Sequence, residues 1–163
     1  MTTAGTNAFG HVRQLIKAVL ARGGFDAYCF ENMNLLSAEV GRVRGEIPVA
    51  RGYLNAIGGT HGGWISTLVD VGGSLAVASH GFKTTGVSTD LSVSFLASSG
   101  EGSVLVFDAQ VLKMGRTLAY TRVDIFSGDQ LIATGNHTKF VAREQERAKE
   151  ERAKEEEADS SGN

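Results

Sequence analysis

Apolar positions recur along this chain at different spacings, and each spacing marks a different kind of element. Phe9, Val12, Leu15, Ile16, Val19 and Leu20 return every three to four residues, which predicts an amphipathic helix over 8–22 with one face toward a core. Gly23 and Gly24 follow, where glycine can take the left-handed conformation that closes a helix. Residues 32–40 and 42–49 read as short strands split by Gly41, with Pro48 where an edge or strand terminus tolerates a missing N–H. Residues 64–79 are apolar on nearly every side, which predicts a helix buried on most faces around which the rest wraps. Beyond it the period drops to two. Leu91, Val93 and Phe95 alternate with Asp90, Ser92 and Ser94, and further strands fit 103–113, 117–126 and 130–141. The connectors 98–102, 114–116 and 127–129 are short, so these strands predict an antiparallel meander rather than crossover helices.

Composition narrows the class. A chain of 163 residues with 42% apolar content is one domain able to bury a core. It divides into a flexible stretch 1–7, a folded domain 8–141 and a charged tail 142–163, helical or disordered. The tail has no apolar stripe beyond alanine, so nothing compels it to dock. A net charge of −2 disfavours nucleic acid as a partner. The single cysteine, Cys29, can form no internal disulfide and has no histidine near it in sequence to activate it. No stretch approaches the ~18 apolar residues of a membrane span, and the N-terminus lacks the core of a secretory signal. The reading is an intracellular, soluble, cytoplasmic protein. Residues 1–25 contain Arg13, Lys17 and Arg22 but no acid until the chain reaches Asp26, which is also how a mitochondrial presequence reads.

Candidate chemistry lies at the start of the apolar helix. The run Asn55-Ala56-Ile57-Gly58-Gly59-Thr60-His61-Gly62-Gly63 precedes a charge-free stretch containing one carboxylate, Asp70. A glycine-rich helix start leaves backbone N–H groups available to a developing negative charge, and a lone acid among apolar residues needs a reason. Together they suggest an oxyanion site and a base. Gly72 and Gly73 weaken the helix by up to ~1 kcal/mol each relative to alanine, which hints at close approach of another helix.

Helix, two strands, buried helix and antiparallel meander together match an α+β hotdog fold, an antiparallel sheet wrapped around a long central helix. Asn55-x-x-Gly58-x-x-His61-Gly62-Gly63 with Asp70, Gly86-Val87-Ser88-x-Asp90, Val111-Leu112-Lys113-x-Gly115-Arg116-Thr117-Leu118-Ala119 and His137-Thr138-Lys139 resemble the small acyl-CoA thioesterases of the phenylacetate-pathway type. The animal subgroup related to acyl-coenzyme A thioesterase 13 is most similar. The resemblance extends over 11–141 and omits the charged tail.

The resemblance implies an acyl-CoA hydrolase acting on medium- to long-chain fatty acyl-CoA, with aromatic acyl-CoA the alternative. It makes the Gly62 N–H the group that polarises the thioester carbonyl and Asp70 a general base or a nucleophile. Asn55 would orient substrate or water, His61 would meet the thioester region or secure the loop, and Ser88 would hold the water. Lys113, Met114, Gly115, Arg116, Thr117 and Leu118 form the turn implied to grip coenzyme A, its cations being otherwise solvated charges on a hairpin. Asp90 and Phe95 match positions near the coenzyme, and Lys139 joins them. No metal is expected, since no second ligand is spaced with His61, and no cofactor beyond the CoA of the substrate. Trp64, beside Gly63, could shape the entrance of an acyl channel.

Gly62 and Asp70 stand eight residues apart. On one helix that is ~12 Å, whereas reacting atoms must come within ~3.5 Å, so one chain cannot bring both to one carbonyl. The expectation is a homodimer in which Asp70 of one chain serves Gly62 of the other, with dimers paired into a homotetramer as in the family. Two other readings compete. A hydratase would pair an acid with a histidine on the central helix, where none occurs before His80. A non-catalytic acyl-CoA-binding or assembly module would use the charged tail as its contact surface, and it needs no base.

Overall fold

The computed structural model describes residues 7–161, so the N-terminal segment expected to be flexible lies, apart from Asn7, outside the described residues. Helix α1 spans Ala8–Arg22, α2 Gly24–Phe30, α3 Gly62–Ala78 and α4 Ala142–Ser161. The strands are β1 Asn34–Glu39, β2 Arg42–Pro48, β3 Val87–Phe95, β4 Val104–Met114, β5 Leu118–Ser127 and β6 Gln130–Phe140, with one 3-10 turn at Arg51–Tyr53. All strand pairs are antiparallel, in one sheet of order β1-β2-β4-β5-β6-β3.

Three elements depart from the sequence reading. Helix α2 was not expected; its seven residues follow the α1 cap directly and bury Cys29 and Phe30. The meander holds for β4, β5 and β6, but β3, which precedes them in sequence, pairs with β6 at the far edge of the sheet. The tail docks instead of standing free. Its Ala148 packs on the cluster of Val77, Phe82, Ala119 and Val141, Gln145 donates to the Gly115 carbonyl, and Glu144 accepts from Thr84 at 2.9 Å. Alanine supplies enough apolar surface for this contact because polar bonds flank it on both sides.

Pro48 fulfils its terminal role. The β1–β2 register runs only to Asn34–Glu46, so no neighbour on that side seeks its missing N–H. On α1 the inner face carries Val12, Ile16 and Leu20, while Phe9 lies outside it, more exposed than the periodicity predicts.

Helix α3 lies across the sheet and supplies the centre of the core, with Ile65, Leu68, Val69, Leu75 and Ala76 buried. The close approach permitted by its glycines is to the sheet and not to another helix. A Cβ on Gly72 would stand 3.3 Å from Phe107 and 3.2 Å from Val123; one on Gly73 would stand 2.5 Å from Thr121 Oγ1 and 2.9 Å from His137 Nδ1. Trp64 is also core and not an entrance residue: it is buried, stacks on Tyr53 with centroids 4.3 Å apart, and donates its Nε1–H to the Cys29 carbonyl at 3.3 Å.

Candidate active site

The loop before α3 is built by Asn55. Its side-chain carbonyl accepts from the N–H groups of Ile57 (3.0 Å) and Gly59 (3.1 Å), closing the turn in which Gly58 takes a positive φ of 86°. The carboxamide oxygen is thereby used, and the Nδ2 group keeps only a long 3.5 Å contact to the Thr60 carbonyl. His61 is the N-cap of α3, its Nδ1 accepting from Gly63 N–H at 2.9 Å. Its role in this structure is to secure the helix start, one of the two roles expected of it. Gly62 is the first helical residue, where an N–H has no intrahelical acceptor, and the exposed ring of Phe95 lies over its Cα. Asn55, His61, Gly62 and Phe95 thus form one group.

Asp70, two turns further along α3, belongs to another. Its Oδ1 accepts from Ser88 Oγ at 3.2 Å and lies 3.2 Å from His137 Nε2, while its side chain keeps 42% exposure. Ser88 Oγ is also 2.9 Å from His137 Nε2 and 3.3 Å from Lys139 Nζ. Lys139 donates to Ser74 Oγ at 2.7 Å. Burial pulls Lys139 below the ordinary lysine range, with Asp70 and then Glu144 opposing it. Burial likewise lowers His137, helped by Lys139 and opposed by Asp70 and Asp90.

Asp70, Ser74, Ser88 and Lys139 line a cleft of about 270 Å³. Its apolar lining is Ile16, Val19 and Leu20 of α1, Phe30 of α2, and Val71 and Leu75 of α3, and Asp26 and Thr85 add further polar groups. Helix α1 therefore does more than cover the core, since its inner face becomes a wall beside the carboxylate.

The residues of the expected coenzyme-binding turn lie apart from both groups. Lys113 and Met114 end β4, Gly115, Arg116 and Thr117 make the turn, and Leu118 begins β5. Lys113, Arg116 and Thr117 are exposed, and the turn is closed by Gly115 N–H donating to the Leu118 carbonyl at 2.8 Å. Leu118 pairs with Phe140, and Phe140 with Val87, so the turn stands two strands, roughly 10 Å, from the start of β3. Asp90 is exposed on β3, just past the bulge between Ser88 and Asp90. Lys139, expected on the coenzyme, is only 2% exposed and spends its ammonium on the two serines.

Sequence reasoning gave no role to Ser74 or His137. Ser74 had a signal: it follows Asp70 by four residues, on the same face of an otherwise apolar helix. His137 had only its place beside Lys139 in a strand, and its approach to Asp70 depends on the pairing of β6 with β3. Cys29 is no active thiol, since burial and then Asp26 push it up.

A chain that carries a half-exposed carboxylate lining a largely apolar cleft, on a helix wrapped by an antiparallel sheet, can be compared with known folds. The family model for the thioesterase superfamily matches residues 57–134. Human acyl-coenzyme A thioesterase 13 is 37% identical over 130 residues, which cover 78% of this chain and 92% of that protein. The chain belongs to the thioesterase superfamily. Its fold is the hotdog fold and its reaction class thioester hydrolysis. Zebrafish thioesterase superfamily member 2 superposes with a TM-score of 0.73 at 36% identity, over 79% of this chain and 94% of its own. A hypothetical thioesterase of Streptococcus pneumoniae, solved with coenzyme A, superposes with a TM-score of 0.65 at 29% identity, over 68% and 89%.

Proposed function

We propose that this thioesterase hydrolyses fatty acyl-CoA, in a homodimer whose two sites each join Asp70 and Ser88 of one chain to Gly62 and Asn55 of the other. The observation that carries the reading is the Asp70–Ser88 pair at 3.2 Å, lining a cleft with the apolar side chains of α1, α2 and α3. The relatives support the substrate class: one is named an acyl-coenzyme A thioesterase and another was solved with coenzyme A.

In the proposed reaction a water beside the Asp70–Ser88 pair gives its proton to Asp70, and its oxygen bonds to the thioester carbonyl carbon. Charge develops on the carbonyl oxygen, where the Gly62 N–H, the positive end of α3 and the Asn55 carboxamide N–H receive it. The C–S bond then breaks, the thiolate of CoA leaves, and the proton on Asp70 returns to it or to solvent. Asp70 acts as a general base in this scheme. In a single turnover in ¹⁸O-water a base places the label in the fatty acid, whereas a nucleophile places it first in Asp70.

Geometry within one chain supports the dimer. Both groups sit on α3, ~12 Å apart. β3 is a nine-residue edge strand with Val87, Leu91 and Phe95 exposed, and such an edge is a template for pairing with a second copy. Ser88 lies three residues before Leu91 and Ser94 three after it, so antiparallel pairing about Leu91 sets the Ser88 end of one chain against the Phe95 end of its partner. The Lys113–Arg116 turn would hold the phosphates of CoA with its exposed cations. Taking roughly the ~30 Å³ of a water molecule per methylene, the cleft has room for about nine, a medium-length acyl chain.

The deciding experiment measures thiol release from short, medium, long and aromatic acyl-CoAs by wild type and Asp70→Asn. Release that peaks at medium chains and falls by about 10²–10⁴-fold in the variant supports the reading. Tight binding of intact acyl-CoA by both proteins would overturn it in favour of a binding module.

A further inference from the structure

Three groups converge on one oxygen beside the carboxylate, and their chemistry fixes where the protons are. Ser88 Oγ has Lys139 Nζ at 3.3 Å, His137 Nε2 at 2.9 Å and Asp70 Oδ1 at 3.2 Å. A hydroxyl has one proton and two lone pairs. An ammonium only donates, so Lys139 takes one lone pair; an ionised carboxylate only accepts, so the hydroxyl proton goes to Asp70. The lone pair that remains faces His137 Nε2, which also lies 3.2 Å from the acceptor Asp70 Oδ1; with two acceptors before it, Nε2 must carry the imidazole proton and share it between them.

The other side of the imidazole agrees with this count. His137 is 1% exposed, and its Nδ1 has no hydrogen-bond partner among the described residues. It faces the α3 backbone at Gly73, whose missing side chain makes the space. A proton on Nδ1 would be a stranded buried donor, the rarer and more costly defect, whereas a bare lone pair there is tolerated. The strand backbone is held in register by Thr121 Oγ1 donating to the His137 carbonyl at 2.9 Å.

We propose that His137 and Lys139 are positioning residues: both donate to Ser88, so its hydroxyl proton points permanently to Asp70 Oδ1 and leaves Oδ2 as the oxygen that accepts the proton of the attacking water. This assignment rests on the functional reading above and deepens it. Lys139 acts through Ser88, and His137 acts through Ser88 and through its own 3.2 Å contact with Asp70 Oδ1. Without them the hydroxyl is free to turn its proton toward the water and compete with the base. The buried ammonium also has a cost in stability that its packing alone does not explain. The other charged groups facing the cluster are Asp90 on β3, Glu144 on α4 and Asp26 on α2 across the cleft, all acids, so Lys139 is the cation lining the cleft.

Two readouts test the proposal on the full chain. The first is the ¹⁵N spectrum of the imidazoles, with His137 assigned through its loss in His137→Gln: a protonated Nε2 and a bare Nδ1 are expected, and a protonated Nδ1 overturns the proton order whether or not the chain hydrolyses anything. The second is a set of kinetic cycles. His137→Leu and Lys139→Met are each expected to lower kcat by about 10–100-fold, the worth of a hydrogen bond in a charged network, with KM unchanged. His137→Gln, whose amide restores a donor at similar reach, should recover most of the loss. In a Ser88→Ala background Lys139→Met should change kcat less than about threefold, because the group it acts on is gone, and His137→Leu should lose less than it does in the wild-type background, keeping only the part owed to its contact with Asp70. Lys139→Met should melt no lower than wild type. Additive losses in the Ser88→Ala background, or parallel losses of melting temperature, would mean that the two residues only pack. Absence of hydrolysis in wild type would end the functional reading and leave the imidazole spectrum to decide the proton order.

Discussion

Asp70 stands in a charge-free helix yet has hydrogen-bonding company from two strands, and the chemistry of the site depends on that company. Gly73 shows how narrow the fit is. An added Cβ would press on Thr121 Oγ1 and His137 Nδ1, so Gly73→Ala is expected to cost about 1–3 kcal/mol of stability despite alanine's better helix propensity, and to lower kcat by displacing His137. Urea denaturation and steady-state kinetics check both. Acid should weaken the fold as well. His137 and His80 are held below the ordinary value of 6.5, chiefly by burial, so between their folded values and 6.5 the unfolded chain binds protons that the folded one refuses. Their contribution is intact above pH 6.5 and is lost as pH falls below it; the urea midpoint should be lower at pH 5.5 than at 7.5, and a midpoint that held or rose would contradict the assignment. At this scale the sequence was readable where a residue type is out of place, as with Asp70 among apolar neighbours. It was silent on His137 and on the bonds of Lys139 to Ser74 and Ser88, because a strand residue's partners are decided by which elements lie beside it.

At the scale of elements, periodicity located α1 and α3 to within two residues and every strand to within about three, since one buried face imposes its spacing on the sequence. It missed α2, whose seven residues are too short to show a period, and it took the charged tail for a free one. Helix α4 has a consequence for stability. Ending the chain at Val141 would uncover Phe82, Ala119 and Val141 itself and release the Gly115 carbonyl from Gln145, so the melting temperature should fall by several degrees, and KM for acyl-CoA should rise as the β4–β5 turn loosens. Strand β3 supplies the sharper test. Leu91→Lys places a charge at the middle of the exposed edge, and the expected result in sedimentation velocity is a monomer with at least about tenfold lower kcat/KM. A fully active monomer would remove the need for a partner.

For the molecule as a whole, the central claim is that one helix carries both halves of the catalytic apparatus and that neither half works without a second chain. Two substitutions separate them. Asp70→Asn removes the proposed base; Gly62→Pro removes the N–H proposed to polarise the carbonyl, at the first helical position, where proline is well tolerated, and His61 before it already has the extended conformation that proline requires. Each variant alone should be nearly inactive. Mixed and allowed to exchange subunits, they form heterodimers in which one site carries both defects and the other neither. Thiol release in the mixture should rise to about a quarter of the wild-type rate, half the dimers being mixed and half their sites intact. A mixture that forms heterodimers by mass spectrometry yet stays as inactive as its components would contradict the shared site.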